Sequence, residues 1–203
     1  MAGAEWPVHG RRQVYGSSWV ELWLDEVDIP GTGRIEHHVV RMPRASTTAV
    51  VTDDDGRFLL IHRHRFITGR WGWEVPAGWA DPGEEPAGAI VREVEEETGW
   101  RPGRVEPLTE YDAMSGISDA HFRAYHVTGC TRIGEPQDIS EAARVEWLPE
   151  AEVVRLLVTG GIPDGPSHAA LSYYLGPHRL AGAGRRPAVR LPPAEEQIGQ
   201  PGE

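Results

Sequence analysis

The chain has 203 residues and a formal charge of −11. That leaves room for one filled core with extensions, but it is the wrong sign for a nucleic-acid surface, which needs clustered Lys and Arg to neutralise phosphates. Its single cysteine, Cys130, excludes an internal disulfide and fits a reducing compartment. The start MAGAEWPVHGRRQVYG has no apolar signal region and no run approaches the roughly 18 apolar residues of a spanning helix, so the expected setting is cytoplasmic, with no membrane partner.

In chain order, residues 1–13 read as a flexible lead-in. Residues 14–43 hold two extended runs, WVELWLDEV and IEHHVVRM, joined by the Pro- and Gly-rich IPGTGR, a hairpin pattern. His37 and His38 are read as strand surface. TTAVVT and RFLLIHRHRF are further strands around Asp53-Asp54-Asp55-Gly56; counted back from Gly56, the first position of a calcium loop falls on Val51, so a tight turn is expected instead. His62 and His64 alternate on one strand, and two histidines without a third ligand make a poor zinc site. A helix is expected from about Pro86 to Thr98, with Pro86 in its first turn and Gly99 as its stop. RVEPLTEYDAM, HFRAYHVTGC and ARVEWLP read as strands, PEAEVVRLLVTG and SHAALSYYLG as helices. Cys130 is read as buried packing, because no activating pattern surrounds it. Residues 44–176 then form the main domain, and 177–203, rich in Pro, Gly, Ala and Arg, a disordered tail. Strands interleaved with two or three helices imply an α/β or α+β fold, a mixed-sheet α/β/α sandwich with an N-terminal antiparallel β-hairpin extension.

The chemistry concentrates in AIVREVEEETGW, residues 89–100. Ala87, Ile90, Val91 and Val94 face a core at helical spacing, while Glu93, Glu96 and Glu97 crowd another face at i, i+3 and i+4. Like charges so placed destabilise a helix by about 0.2–0.5 kcal/mol per pair, so something outside the helix must compensate. Carboxylate oxygens are hard ligands suited to Mg²⁺ or Mn²⁺. Such ions neutralise a pyrophosphate and lower the pKa of an attacking water. Glu95 points away and is read as solvated.

With the preceding loop, the segment spells Gly78, Glu84, Arg92-Glu93-Val94, Glu96-Glu97 and Gly99-Trp100, a spacing of G-x5-E-x7-R-E-V-x-E-E-x-G-W. It resembles the Nudix box, with Trp100 where an aliphatic residue is usual. The resemblance implies a Nudix fold and hydrolysis of a nucleoside diphosphate linked to another moiety. Two or three ions are then expected, held by Glu93, Glu96, Glu97 and the backbone carbonyl of Ala77 or Gly78. Glu97 is a catalytic candidate, Arg92 an ion-pair anchor, and Glu84 a loop-edge residue that orients a ligand or binds a further ion.

From about Val14 to Leu175 the chain is similar to the ADP-ribose (ADP-sugar) pyrophosphatase branch, whose members pair into homodimers through the N-terminal hairpin. By position, the resemblance assigns Arg65 to the pyrophosphate, Glu141 (or Asp138) to water activation, and Trp19 to stacking on adenine. One departure lies in Met114-Ser115-Gly116-Ile117-Ser118, where Ser115 stands in place of the branch's proline and removes a rigid φ; Ser115 and Gly116 are expected beside the substrate. Trp79 is also unexpected and would narrow the entrance. The leading expectation is ADP-ribose or a related NDP-sugar. A nucleoside triphosphate, dinucleoside polyphosphate or specialised-metabolite diphosphate is the alternative, and a non-catalytic nucleotide sensor is the third reading.

Overall fold

The computed structural model describes residues 5–137 and 144–180. The N-terminal region forms an antiparallel sheet of β1 (Val8–Gly16), β2 (Glu21–Ile29) and β3 (Gly33–Arg41), in that order. The expected hairpin is β2–β3, in register from Glu21↔Arg41 to Ile29↔Gly33. The lead-in needs correction, because from Val8 onward it is strand β1. Its side chains are almost all exposed and few are apolar. An edge strand of this kind is held by backbone pairing on one side, so no alternation announces it.

In the main body, β4 (Ser46–Val51), β7 (Ala77–Trp79), β9 (Arg104–Asp112) and β10 (His121–Thr128) form a mixed sheet ordered β7-β4-β10-β9, with β4 and β10 parallel. A second sheet is antiparallel, β5 (Phe58–Arg65) lying between β12 (Arg144–Leu148) and β6 (Arg70–Glu74). The short strands β8 (Trp100–Arg101) and β11 (Thr131–Arg132) pair with each other. Helix α1 spans Pro86–Thr98, α2 Glu150–Thr159 and α3 Gly165–Tyr173.

Strand alternation divides the core in two. Ala49, Val51 and Leu59 turn one way, onto Ile90 and Val94 of α1. Val50, Phe58 and Leu60 turn the other way, onto Val153 and Leu156 of α2 and Ala170 and Leu171 of α3. The result is the expected α/β/α sandwich. Burying Ile90 and Val94 contributes about 1.5–3 kcal/mol each, which fixes the helix whose opposite face carries the glutamates. The tail boundary shifts too: Tyr174–His178 continues α3 as a wider turn, and Arg179 donates to Glu150 at 2.7 Å. Residues 181–203 lie outside the described part.

Candidate active site

Helix α1 starts at Pro86, which needs no intrahelical partner for its missing N–H, and stops at Gly99, whose φ of 75° is left-handed. A Cβ at Gly99 would also lie 2.3 Å from the Gly134 carbonyl oxygen, so both backbone and space demand glycine there. These two ends set the register that puts Glu93, Glu96 and Glu97 in one open cleft of about 360 Å³, with Ala77, Gly78, Arg63, Arg65 and Arg92. The cleft mouth holds Trp19, Arg44, Trp79 and Asp81.

Glu97 is the deepest of the three carboxylates, 8% exposed. One oxygen accepts from the Arg63 guanidinium at 2.6 Å and the other from the Ala77 backbone N–H at 3.0 Å. Burial pushes its carboxyl up to about 7, against the opposing pull of Arg63. Burial likewise raises Glu93, with Arg92 pulling the other way. Glu93 lies against the backbone of Gly78, where a Cβ would stand 2.0 Å from its carboxyl carbon. Only glycine leaves that berth open.

Arg92 ties the acidic side chains of the loop and helix together. It donates to Glu93 at 2.8 Å, to Glu96 at 3.1 Å, to both oxygens of Glu84, and to the Trp79 carbonyl. Glu84 in turn accepts the Asp81 N–H at 2.8 Å and is held below its ordinary pKa by Arg92. It braces the anchor and is absent from the cleft lining. Glu95 turns away from the cleft as expected, but it pairs with Arg101 at 2.8 Å and is not left to solvent. Trp100 packs edge-on against Trp147, so an aromatic serves there as burial.

As the side chains stand, no three acidic or histidine side chains among the described residues converge into a metal cage. Glu93 and Glu96 are turned onto Arg92, and Glu97 onto Arg63. The donors still fit a hard divalent cation, with three carboxylates from one helix face in one cleft and Glu93 berthed in a backbone notch. The guanidiniums occupy the oxygens that a cation would take.

Three participants escaped the sequence reading. Arg63 is 3% exposed and joins Glu97 to Glu74. Glu74, 2% exposed, also holds Arg65 in a two-pronged contact at 3.0 and 2.6 Å. Arg44 lies over both Trp19 and Trp79, whose rings sit 5.4 Å apart. The alternation of Arg63 and Arg65 on β5 was the available signal for the first.

Trp19 lines the cleft and is 64% exposed. Ser115 and Gly116 are not brought to the carboxylates of this chain. They line a separate cavity with His37, Val39 and Asp119, because Val40 donates to the Ile117 carbonyl and draws that turn onto β3. Glu141 and Asp138 lie outside the described residues. His62 and His64 pack on Trp71. Cys130 is partly buried, and burial pushes its thiol up to about 11, which suits packing over nucleophilic chemistry.

The NUDIX domain pattern matches residues 42–169. The chain belongs to the Nudix family. The relatives it resembles include a CMP-5'-(N-acetyl-N-hydroxy-3-aminopropyl)phosphonate hydrolase of Streptomyces rubellomurinus, 37% identical over 90% of this chain and 86% of that one. Another is the ADP-ribose pyrophosphatase of Mycobacterium tuberculosis, 35% identical over 70% of this chain and 69% of that one. Among solved structures, an ADP compounds hydrolase covers 90% of the chain and 99% of its own length with a TM-score of 0.77 at 17% identity, which establishes the shared fold. The enzyme class of this Nudix protein is accordingly that of a hydrolase similar to the ADP-ribose pyrophosphatases.

Proposed function

We propose that the chain hydrolyses the pyrophosphate bond of a nucleoside diphosphate linked to another moiety, with ADP-ribose or a related NDP-sugar as the leading substrate class. The observation that carries this reading is the meeting of Glu93, Glu96 and Glu97 with Arg65 and Arg92 in one cleft: anionic donors for cations beside cationic donors for phosphate. A divalent cation such as Mg²⁺ or Mn²⁺, two or three per site, supplies charge neutralisation and an acidified water when bound. The three glutamates would hold it, together with the Ala77 carbonyl; the neighbouring Gly78 carbonyl already accepts from Thr47 at 3.2 Å.

The remaining work falls to side chains. Arg65, 45% exposed, presents its guanidinium to the diphosphate, a geometry suited to two-pronged contact with phosphate oxygens. Trp19 offers a flat face to the nucleobase. Water adds to one phosphorus, the bridging P–O bond breaks, and a nucleoside monophosphate and a sugar phosphate leave; ADP-ribose gives AMP and ribose 5-phosphate. Glu97 and the acidic loop residue Glu141 are the candidates to take the water's proton. The exposed Val8, Val14 and Tyr15 of β1 support the reading of the N-terminal sheet as a homodimer surface.

A second reading keeps the cleft chemistry and changes the leaving group to a specialised-metabolite phosphonate on a cytidylyl group. It is favoured by the Streptomyces relative, whose similarity spans most of both chains. Incubation with Mg²⁺ and ADP-ribose, a CMP-linked phosphonate and triphosphate substrates tests both. AMP release from ADP-ribose supports the first, preference for a CMP-linked phosphonate the second, and preference for triphosphates overturns both.

A further inference from the structure

Beyond the cleft's lining, a buried anion links its two halves. Glu74 stands on β6, directly opposite Ile61 of β5 in a register that sets Arg63 across from Gly72 and Arg65 across from Arg70. Its carboxylate is 2% exposed. From there it holds Arg65 through Nε at 3.0 Å and Nη2 at 2.6 Å, and lies 3.6 Å from Nε of Arg63. Arg63 in turn reaches Glu97 at 2.6 Å. Glu97, Arg63, Glu74 and Arg65 thus alternate in sign from the floor of the cleft to its mouth.

Burying such a run is costly, since apolar residues of similar size are often neutral or stabilising in its place. Arg65 is the exposed end of the run, and a long arginine at 45% exposure would otherwise sample many rotamers. A two-pronged carboxylate contact through Nε and Nη2 removes that freedom and leaves Nη1 outside the clamp. The contact to Glu74 also raises the pKa of Arg65, with hydrogen bonding as the largest cause. The same carboxylate lies 3.6 Å from Nε of Arg63, whose Nη2 meets Glu97.

We infer that Glu74 is a positioning residue that couples the two halves of the site, aiming Arg65 at the diphosphate and, through Arg63, fixing Glu97 among the cation ligands. This rests on the reading of the cleft as a diphosphate hydrolase, and it predicts a split that a merely structural ion pair would not produce. Glu74→Gln keeps size and packing but loses the charge and half of the clamp. Its KM for the preferred diphosphate substrate should rise about tenfold through Arg65 and its kcat fall about tenfold through Glu97. Glu74→Asp, which keeps the charge but retracts it, should recover kcat more than KM.

The test uses the full chain with Mg²⁺. Steady-state kinetics are measured on wild type, Glu74→Gln, Glu74→Asp, Arg65→Ala and the Glu74→Gln/Arg65→Ala double variant, and ADP binding by calorimetry with Ca²⁺ in place of Mg²⁺. Support requires the KM and kcat split and a double variant whose KM lies within about threefold of Arg65→Ala alone, since Glu74 acts on substrate only through that arginine. If Glu74→Gln fails to fold, Glu74→Asp carries the same comparison. A folded Glu74 variant with kcat and KM within about threefold of wild type overturns the inference, as does full additivity in KM with Arg65→Ala. If wild type turns over no diphosphate substrate, the hydrolase reading fails. The positioning of Arg65 is then still decided by ADP affinity, expected about tenfold weaker in Glu74→Gln, with unchanged affinity refuting it.

Discussion

Gly78→Ala isolates the placement of one carboxylate from the stability of the fold. A Cβ there would stand 2.0, 2.2 and 2.5 Å from the carboxyl carbon and two oxygens of Glu93, against about 3.4 Å for ordinary contact between carbon atoms. Glu93 must therefore withdraw by more than about 1 Å. What moves is the end of a flexible side chain, and Gly78 is absent from the left-handed glycines, so alanine fits its backbone. The cost to stability should stay within about 1 kcal/mol. Displacing a ligand by about 1 Å can instead remove about 10²-fold of rate. Steady-state kinetics with Mg²⁺ and a thermal melt on the same sample should show kcat/KM down by about that factor, with Tm lowered by no more than about 4 °C. A folded Gly78→Ala protein with wild-type kcat/KM would refute the argument that Glu93 is seated in that notch to hold a ligand.

Three further outcomes follow from the same geometry. Glu97→Gln should lower kcat by at least about 10²-fold while circular dichroism and Tm stay close to wild type; unchanged turnover would remove Glu97 from the chemistry. Since Glu97 titrates at about 7 and ligates only when ionised, cation uptake should expel about half a proton at pH 7, rising toward one at pH 6 and falling to about a tenth at pH 8; calorimetry in buffers of different ionisation enthalpy reads this, and no release at pH 6 would contradict it. Burial pushes His126, bonded to Thr52 at 2.9 Å, down from 6.5 to about 4, so the unfolded chain takes its proton first. Its contribution is whole above about pH 6.5 and is lost as pH falls toward 4, by about 3 kcal/mol at the limit; denaturant titrations across that range should be flatter in His126→Gln.

Much of this was legible in the sequence because the box is local. Glu93, Glu96 and Glu97 share a helix face by spacing alone, Pro86 and Gly99 mark that helix's ends, and the apolar stripe names the side it buries. What escaped depends on contacts between distant segments. Glu74 reaches Arg63 and Arg65 only in the β5–β6 register, and Arg63 meets Glu97 only once α1 is seated on the sheet. Their residue types, two strand arginines and a glutamate before Val75-Pro76, look like ordinary surface. β1 was missed because an exposed edge strand needs no apolar pattern. Ser115 and Gly116 were expected beside the substrate from the resemblance, but the backbone pairing of Val40 with Ile117 and Asp119 carries them to another cavity.

The central claim is that three crowded glutamates tolerate one another as a cation site. Calorimetric titration with Mn²⁺ in the presence of ADP, for wild type and for the Glu93→Gln/Glu96→Gln/Glu97→Gln variant verified as folded, addresses it directly. Saturable uptake by wild type, weakened at least about tenfold in the variant, is the predicted result. No uptake by wild type, or equal uptake by both proteins, would contradict it.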